Sequence, residues 1–187
     1  MSATLVLIDF QKAADDPSFS PRGQLQAEEN AMTLLAHWRE MGQPVVHLQN
    51  HAMDPDAPDA PGAEGHAFKK GLAPLSHEPV VEKRTDNGFV GTDLMAVLED
   101  AGPAELVMCG LMLEGAVEST IRMAHALGFM VFIPHDCTAS RAQRGVDGQN
   151  WTVDQVHGLT LSILDGEYGK VVSSQDLMTG ATGTKLH

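Results

Sequence analysis

The chain has 187 residues with 12 Lys or Arg and 25 Asp or Glu, so its formal net charge is −13. This acidity disfavours nucleic acid and anionic membranes as partners, because both are themselves negatively charged. No apolar run approaches the ~20 residues that a membrane-spanning helix needs, and the first residues do not resemble a signal peptide. We therefore expect one soluble domain over residues 1–187. Its 2 Cys indicate a reducing cytoplasm and not a disulfide scaffold.

Apolar runs typical of strands alternate with segments of helical spacing along the whole chain. The first half reads as strand 4–8, a polar loop, helix 24–41, strand 44–48, an irregular proline-rich connection 50–79, strand 80–83 and helix 92–100. The second half reads as a strand from 105, a helix after Gly115, strand 130–133, a polar segment 138–150, helix 152–164 and strand 170–173. The Gly- and Thr-rich tail from residue 179 is expected to fray.

This alternation predicts a doubly wound, mostly parallel six-stranded sheet with helices on both faces. Right-handed crossovers place the carboxyl ends of such strands at one edge of the sheet, and ligands bind outside that edge. Asp9 and Lys83 lie at strand ends, and the glycine-containing corner 110–116 follows another strand. The pattern therefore predicts that these three parts of the chain meet at one edge.

The corner 110–116 changes the chain from a buried strand to a helix within a few residues. Gly110 and Gly115 interrupt the apolar pattern, and residues after Gly115 have helical spacing. A strand, a tight turn and a helix in succession point backbone N–H groups and a helix N-terminus at one spot. Such a spot suits a developing negative charge.

Three motifs in this order resemble those of the isochorismatase-like cysteine hydrolases, a family that includes nicotinamidases and carbamoylsarcosine amidohydrolases. Ile8-Asp9-Phe10-Gln11 is similar to the family's Asp-x-Gln motif, and residues 83–94 resemble its Lys-containing motif with a central Phe. Residues 110–124 resemble the motif that carries the nucleophilic Cys. At the position of that Cys, this chain has Ala116. Leu113 and Glu114 also replace the family's Thr or Ser and Asp or Asn.

The resemblance implies a catalytic triad of Asp9, Lys83 and the residue at position 116. It also implies an oxyanion hole from the backbone N–H groups of Met112 and Ala116, and a cis peptide between Leu111 and Met112. The candidate substrate contacts are Phe10, Gln11, Phe89, Leu113 and Trp151. Core packing would explain the three aromatic residues equally well. The implied partners are a small amide, ureide or carbamoyl substrate and further copies of the chain, as a dimer or tetramer.

Several His and Asp residues suggest a metal site, because nicotinamidases carry an Asp/His metal site near their pocket. The candidates are His47, His51, Asp54, Asp56 and His66. The family's Asp-x-His pattern followed by a later His is not reproduced, so we predict no metal and no other cofactor.

Two further sets of side chains have both a functional and a structural interpretation. Cys109 and Cys137 are possible nucleophiles by residue type, but their places in or after apolar strands favour inert packing. Four arginines are possible receptors for a substrate carboxylate, although surface solvation explains any one of them: Arg84, Arg122, Arg141 and Arg144.

Three explanations account for Ala116. The chain is an amidase-type cysteine hydrolase whose nucleophile is replaced by Ala, as is done to trap a bound substrate. Alternatively, it is an isochorismatase-type enzyme, which carries a small residue here and cleaves a vinyl ether with the Asp as proton donor. The third explanation is a natural non-catalytic relative that binds a ligand or partner. The first is favoured, because the rest of the machinery is complete.

Overall fold

The predicted alternation of strands and helices is present in the computed structural model, which describes residues 3–180. Apart from its first two residues, the tail that we expect to fray from residue 179 lies outside the described residues. The strands are β1 (Thr4–Ile8), β2 (Val45–Asn50), β3 (Val80–Lys83), β4 (Glu105–Leu111), β5 (Met130–Pro134), β6 (Thr138–Ala139), β7 (Gln143–Arg144), β8 (Asn150–Trp151) and β9 (Lys170–Val172). The α-helices are α1 (Ala27–Glu40), α2 (Leu94–Ala101), α3 (Glu118–Ala126), α4 (Val153–Leu164) and α5 (Ser174–Thr179).

The main sheet confirms the predicted fold class, although it has seven strands where the sequence predicts six. Its strands follow the order β3-β2-β1-β4-β5-β9 and all pair in parallel, while the short strand β6 pairs with the end of β4. The order runs outward in both directions from β1 and β4, which is the arrangement of a doubly wound sheet. The carboxyl ends of β1, β3 and β4 therefore lie at one edge.

Three elements were not predicted from the sequence. Strand β6 and the antiparallel hairpin β7–β8 have only two residues per strand, too few for a pattern of period two. Helix α5 follows strand β9 directly and has only six residues, too few for a clear helical period. The helix begins at a capping box, in which the Ser173 hydroxyl accepts from the Asp176 N–H and the Asp176 carboxylate accepts from the Ser173 N–H.

Each face of the sheet packs against its own set of helices. Leu5 and Leu7 of β1 belong to the core under α1 and α5. Val6 and Ile8, which point the other way, belong to the core under α2, α3 and α4. Burial on both faces explains why β1 is apolar at every position and not only at alternate ones.

Gly110 is required where β1 and β4 lie side by side. It pairs with Ile8, and a Cβ atom at position 110 would lie 2.1 Å from the Ile8 carbonyl oxygen. Since only glycine permits this approach, the corner after β4 lies directly beside the end of β1, where Asp9 follows. None of the helices within residues 3–180 has the length and apolar character needed to cross a bilayer.

Candidate active site

Asp9 follows the last residue of β1 and turns the chain sharply at the edge of the sheet. Its φ of 54° lies in the left-handed region, which Asp adopts more readily than most residues. The Asp9 N–H still donates to the Leu48 carbonyl at 3.1 Å, so the backbone of the turn is held by the neighbouring strand β2. The carboxylate Oδ2 lies 2.7 Å from Lys83 Nζ.

Lys83 is the last residue of β3, and its side chain is only 1% exposed. Besides Asp9, its ammonium donates to Asn50 Oδ1 and to the Thr85 carbonyl, both at 3.2 Å. An ammonium group has three N–H bonds, so each of them has an acceptor. The buried charge is therefore both paired and hydrogen-bonded, which is the condition under which burial of a charge is tolerated.

The proton affinity of Asp9 reflects two opposing influences. Burial raises the pKa of Asp9 to about 6, although the charge of Lys83 and its hydrogen bond act to lower it. The nearby carboxylates of Asp59 and Asp86 add to the rise. In addition, Oδ1 of Asp9 is buried and has no hydrogen-bond partner among the described residues. Asp9 is thus suited to exchange a proton near neutral pH.

The corner after β4 brings Met112 and Ala116 to the same place. The peptide between Leu111 and Met112 is cis, as the family resemblance implies. A π-turn over Leu113–Val117 then leads into α3, and the Ala116 carbonyl accepts a hydrogen bond of 2.6 Å from the Thr120 hydroxyl.

A cavity of about 250 Å³ lies at the carboxyl edge of the sheet. Of the residues predicted for the site, Asp9, Gln11, Met112 and Ala116 line this cavity, and Lys83 lies behind Asp9 as its ion-pair partner. The other lining residues are Ala13, Ala14, Phe19, Asn50, Asp59, Asp86, Leu111, Gly115 and Arg141. The three strand ends that the sequence predicts to converge therefore do so.

Four of the predicted substrate contacts do not line the cavity. Phe10 and Leu113 are buried in the two hydrophobic cores, because each lies beside a cavity residue but faces into the protein. Phe89 is stacked on Phe129, with ring centroids 6.4 Å apart. Trp151 is half-exposed in strand β8 of the small hairpin.

Several cavity residues were not recognised as site residues from the sequence. Asn50 ends β2, so the rule that drew attention to Asp9 and Lys83 applies to it equally. Arg141 was one of four possible arginines, and the structure places it alone among them in the cavity lining of residues 3–180. Asp59 and Phe19 lie in irregular segments, where the sequence has no local pattern that indicates which way a side chain points.

The three histidines considered for a metal site have other partners. His47 Nε2 lies 3.0 Å from Glu78 Oε2, His51 Nδ1 lies 3.3 Å from Glu82 Oε2, and His66 Nδ1 lies 2.9 Å from the Asp59 carbonyl. Within residues 3–180, no group of three or more His, Cys, Asp or Glu side chains is placed to hold a metal ion.

The two cysteines are free thiols in the hydrophobic core. A hydrogen bond with Cys109 and burial both raise the pKa of the Cys137 thiol. A thiol that does not ionise is a poor nucleophile.

A second, larger groove of about 780 Å³ lies elsewhere on the molecule. It is lined by Pro44, Val45 and Pro79, which stand at the amino ends of β2 and β3. Because ligands of parallel sheets bind at the carboxyl ends of the strands, the smaller cavity is the better candidate for the active site.

The fold and the site together define a three-layer α/β protein with a carboxylate–ammonium pair at a cavity beside the carboxyl ends of parallel strands. The chain belongs to the isochorismatase family, whose Isochorismatase domain model matches residues 3–162.

Similar proteins include both hydrolases and solved structures of this family. An isochorismatase-family protein from Chromobacterium violaceum ATCC 12472 is 38% identical, with a TM-score of 0.93 over 98% of this chain and 95% of that one. Maleamate amidohydrolase from Pseudomonas putida is 28% identical over 93% of this chain and 84% of its own length. Streptothricin hydrolase from Streptomyces noursei is 38% identical over 73% of this chain, which spans 49% of that protein. The chain is thus an isochorismatase-family hydrolase with amidohydrolase relatives.

Proposed function

We propose that this chain is a cysteine hydrolase for a C–N bond of a small amide, ureide or carbamoyl compound, in a form that lacks its nucleophile. The observation that carries the proposal is the geometry around position 116. Asp9, paired with Lys83 at 2.7 Å, lines the same cavity as Ala116. A side chain at position 116 would therefore be presented to the carboxylate and to a ligand at once.

The proposed chemistry assigns a separate step to each residue. With a thiol at position 116, the Asp9 carboxylate takes the thiol proton, and the thiolate attacks the substrate carbonyl carbon. The backbone N–H groups of Met112 and residue 116 hold the resulting oxyanion. Asp9 then gives its proton to the departing amine, and water cleaves the thioester. Lys83 keeps Asp9 oriented, and with a pKa of about 6 most Asp9 is ionised at neutral pH.

Ala116 interrupts this sequence at its first step. Removal of the nucleophile from a comparable triad lowers turnover on the order of 10⁶-fold, while the binding cavity is left in place. We therefore propose that the chain binds its substrate but hardly converts it.

One observation favours a second candidate function. A carboxyl with a pKa of about 6 is also a suitable proton donor. Asp9 could then protonate a vinyl ether without any nucleophile at position 116, as in isochorismatase-type enzymes.

The test is the variant Ala116→Cys, assayed by ammonia release from a panel of small primary amides and ureides. We expect a gain of several orders of magnitude over the unchanged chain on at least one compound. The matched control is the double variant Ala116→Cys with Asp9→Asn, which keeps the thiol but removes the base and should lose the gain.

Two other outcomes would contradict the amidase proposal. Hydrolysis of isochorismate by the unchanged chain, lost in Asp9→Asn, would support the vinyl-ether reaction. A folded Ala116→Cys variant that is inactive in both assays would support a non-catalytic binding protein.

A further inference from the structure

Behind the Lys83–Asp9 pair, a chain of hydrogen bonds leads into the long connection between β2 and β3. Lys83 Nζ donates to Asn50 Oδ1 at 3.2 Å, and Asn50 Nδ2 donates to Asp59 Oδ2 at 2.5 Å. Asp59 and Asn50 both line the cavity. A residue of the irregular segment 51–79 is thereby linked through one amide to the catalytic ion pair.

The amide of Asn50 satisfies both neighbours in only one orientation. Its oxygen must face the ammonium of Lys83, and its NH₂ group must face the carboxylate of Asp59. After a half-turn of the amide, two donors would face each other at Lys83 and two acceptors at Asp59. The charges on Lys83 and Asp59 therefore favour the same orientation, and Asp59 strengthens the preference for presenting an acceptor to Lys83.

The backbone on both sides of this link is held in place. The Asn50 N–H donates to Gln11 Oε1 at 2.8 Å, and Gln11 Nε2 donates to the Asn50 carbonyl at 3.0 Å. Gln11 is only 2% exposed. The ring of His66 contacts the Asp59 carbonyl, with Nδ1 at 2.9 Å. Because these contacts fix the backbone of Asn50 and Asp59, their side chains form a fixed support for Lys83, in addition to Asp9 and the Thr85 carbonyl.

We propose that Asn50 and Asp59 are positioning residues of the active site: Asp59 orients the Asn50 amide, and the amide oxygen holds the Lys83 ammonium against Asp9. Neither residue takes part in bond making. The inference deepens the proposed hydrolase function, since it concerns the Asp–Lys pair that the chemistry uses. It also gives a function to the long connection between β2 and β3, because Asp59 belongs to that connection.

A measurement of the pKa of Asp9 tests whether Asn50 and Asp59 position Lys83 in this way. Three charged groups act on Asp9: Lys83, which lowers its pKa, and Asp59 and Asp86, which raise it. Loss of the Asp59 charge alone lowers the pKa of Asp9. Loss of the Asp59 acceptor, however, removes one of the two contacts that keep the Asn50 amide in this orientation and weakens the hold on Lys83, which raises the pKa of Asp9. This second effect exists only while Asn50 is present.

The experiment is a double-mutant cycle on the chain with Ala116 unchanged. The pKa of Asp9 is measured by ¹³C NMR titration of the aspartate carboxyl carbons, with Asp9→Asn to assign the signal. Asn50→Ala should raise this pKa. Asp59→Ala should then lower it more in the Asn50→Ala background than in the unchanged chain. We expect a difference of at least about 0.4 in pKa, the lower end of coupling within one hydrogen-bond network.

Asp86→Ala is the matched control, because Asp86 also acts on Asp9 through its charge but has no hydrogen bond to Asn50 among the described contacts. Its effect should be the same in both backgrounds. Equal lowering by Asp59→Ala in both backgrounds would overturn the proposal, and so would an Asn50→Ala variant whose Asp9 titrates as before.

The design separates this inference from the proposed function, because the titration needs no substrate and no turnover. Amide exchange and thermal unfolding establish that each variant is folded. If Asn50→Ala does not fold, Asn50→Ser completes the cycle, since its short hydroxyl side chain no longer spans the distance between Lys83 and Asp59.

Discussion

At the scale of single residues, Asp9 is the group whose chemistry depends most on its surroundings. The fold holds it at the edge of the sheet in a left-handed conformation, beside Lys83 and without a hydrogen-bond partner for Oδ1 within residues 3–180. Desolvation outweighs the attraction of one ammonium, so the pKa of Asp9 rises and does not fall. The same feature that makes Asp9 suited to proton transfer therefore costs folding free energy when the residue is ionised.

The pH dependence of unfolding should show this cost. Since the pKa of Asp9 is raised from 3.8 to about 6, the folded state binds the proton more tightly than the unfolded chain. The stabilisation is fully present below pH 3.8 and is lost as the pH rises through 6. Relative to Asp9→Asn, the free energy of unfolding should fall by about 2 kcal/mol between pH 4 and 7. Chemical denaturation of both proteins at several pH values measures this decrease.

The exposed Asp86 supplies the comparison for this prediction. Asp86→Asn keeps the buried pair and should retain most of the decrease between pH 4 and 7. A flat difference between the unchanged chain and Asp9→Asn would contradict the raised pKa. In the Ala116→Cys variant, the same ionisation should appear as an activity that increases with pH through about 6.

At the scale of elements, Glu78 fixes the end of the long connection where it enters β3. Both of its carboxylate oxygens accept from Arg39 of α1 at 2.8 Å, and one of them also accepts from the Leu75 N–H. His47 of β2 contacts the same carboxylate at 3.0 Å. Burial alone would raise the pKa of Glu78, but the hydrogen bonds from Arg39, Leu75 and His47 lower it to about 2. The carboxylate of Glu78 thus connects helix α1, strand β2 and the loop that contains Leu75.

Removal of this anion should destabilise the protein. Glu78→Gln leaves Arg39 and His47 without their carboxylate and should lower the free energy of unfolding by about 3 kcal/mol, as for other broken buried pairs. The matched control is Glu82→Gln, whose carboxylate also contacts a histidine, His51, but is 58% exposed. That exposed pair should contribute less than about 1 kcal/mol.

The stability of the protein at low pH is a second test of the role of Glu78. Because its folded pKa is depressed from 4.5 to about 2, its contribution is present above pH 4.5 and is lost as the pH falls through 2. The difference in stability between the unchanged chain and Glu78→Gln should therefore shrink in acid. Equal effects of Glu78→Gln and Glu82→Gln at neutral pH would contradict the prediction.

At the scale of the whole molecule, one wall of the cavity is held in place by a contact between distant parts of the chain. We call residues 13–20 the cover segment, because Ala13, Ala14 and Phe19 line the cavity. Arg141, which follows β6, donates to the carbonyls of Ala14 and Ser20 and lies 5.0 Å from the centre of the Phe19 ring. One side chain thus connects the cover segment to the far half of the sequence.

Loss of this contact should loosen the cover segment and little else. In Arg141→Leu, backbone amides of residues 13–20 should exchange with deuterium about tenfold faster or more, as expected when charged hydrogen bonds are lost. Arg122→Leu is the comparison. It removes an arginine that pairs with Glu118 and lies 4.1 Å from the centre of the Tyr168 ring, away from the cavity. Unchanged exchange in the cover segment of Arg141→Leu would show that other contacts hold it.

Much of the fold and part of the site follow from the sequence. Strands β1, β2, β4 and β5 of the main sheet were located because burial on both faces leaves continuous apolar runs. Asp9, Lys83 and Ala116 were found because three motifs resemble those of the family, and the strand pattern predicts that the three motifs meet at one edge of a parallel sheet. Two-residue strands and the short helix α5 leave no such periodic signal, so they were missed.

The sequence by itself determined the family, the layered α/β architecture and the members of the Asp–Lys pair, because these depend on local patterns and fixed motifs. Only the tertiary structure decided which side chains face the cavity. Asn50 and Arg141 line it, whereas Phe10 and Leu113 belong to the core. The reason is that the direction in which a side chain points at a loop or corner is set by contacts between residues far apart in the chain, such as Arg141 with Ala14. A local sequence pattern does not indicate those contacts.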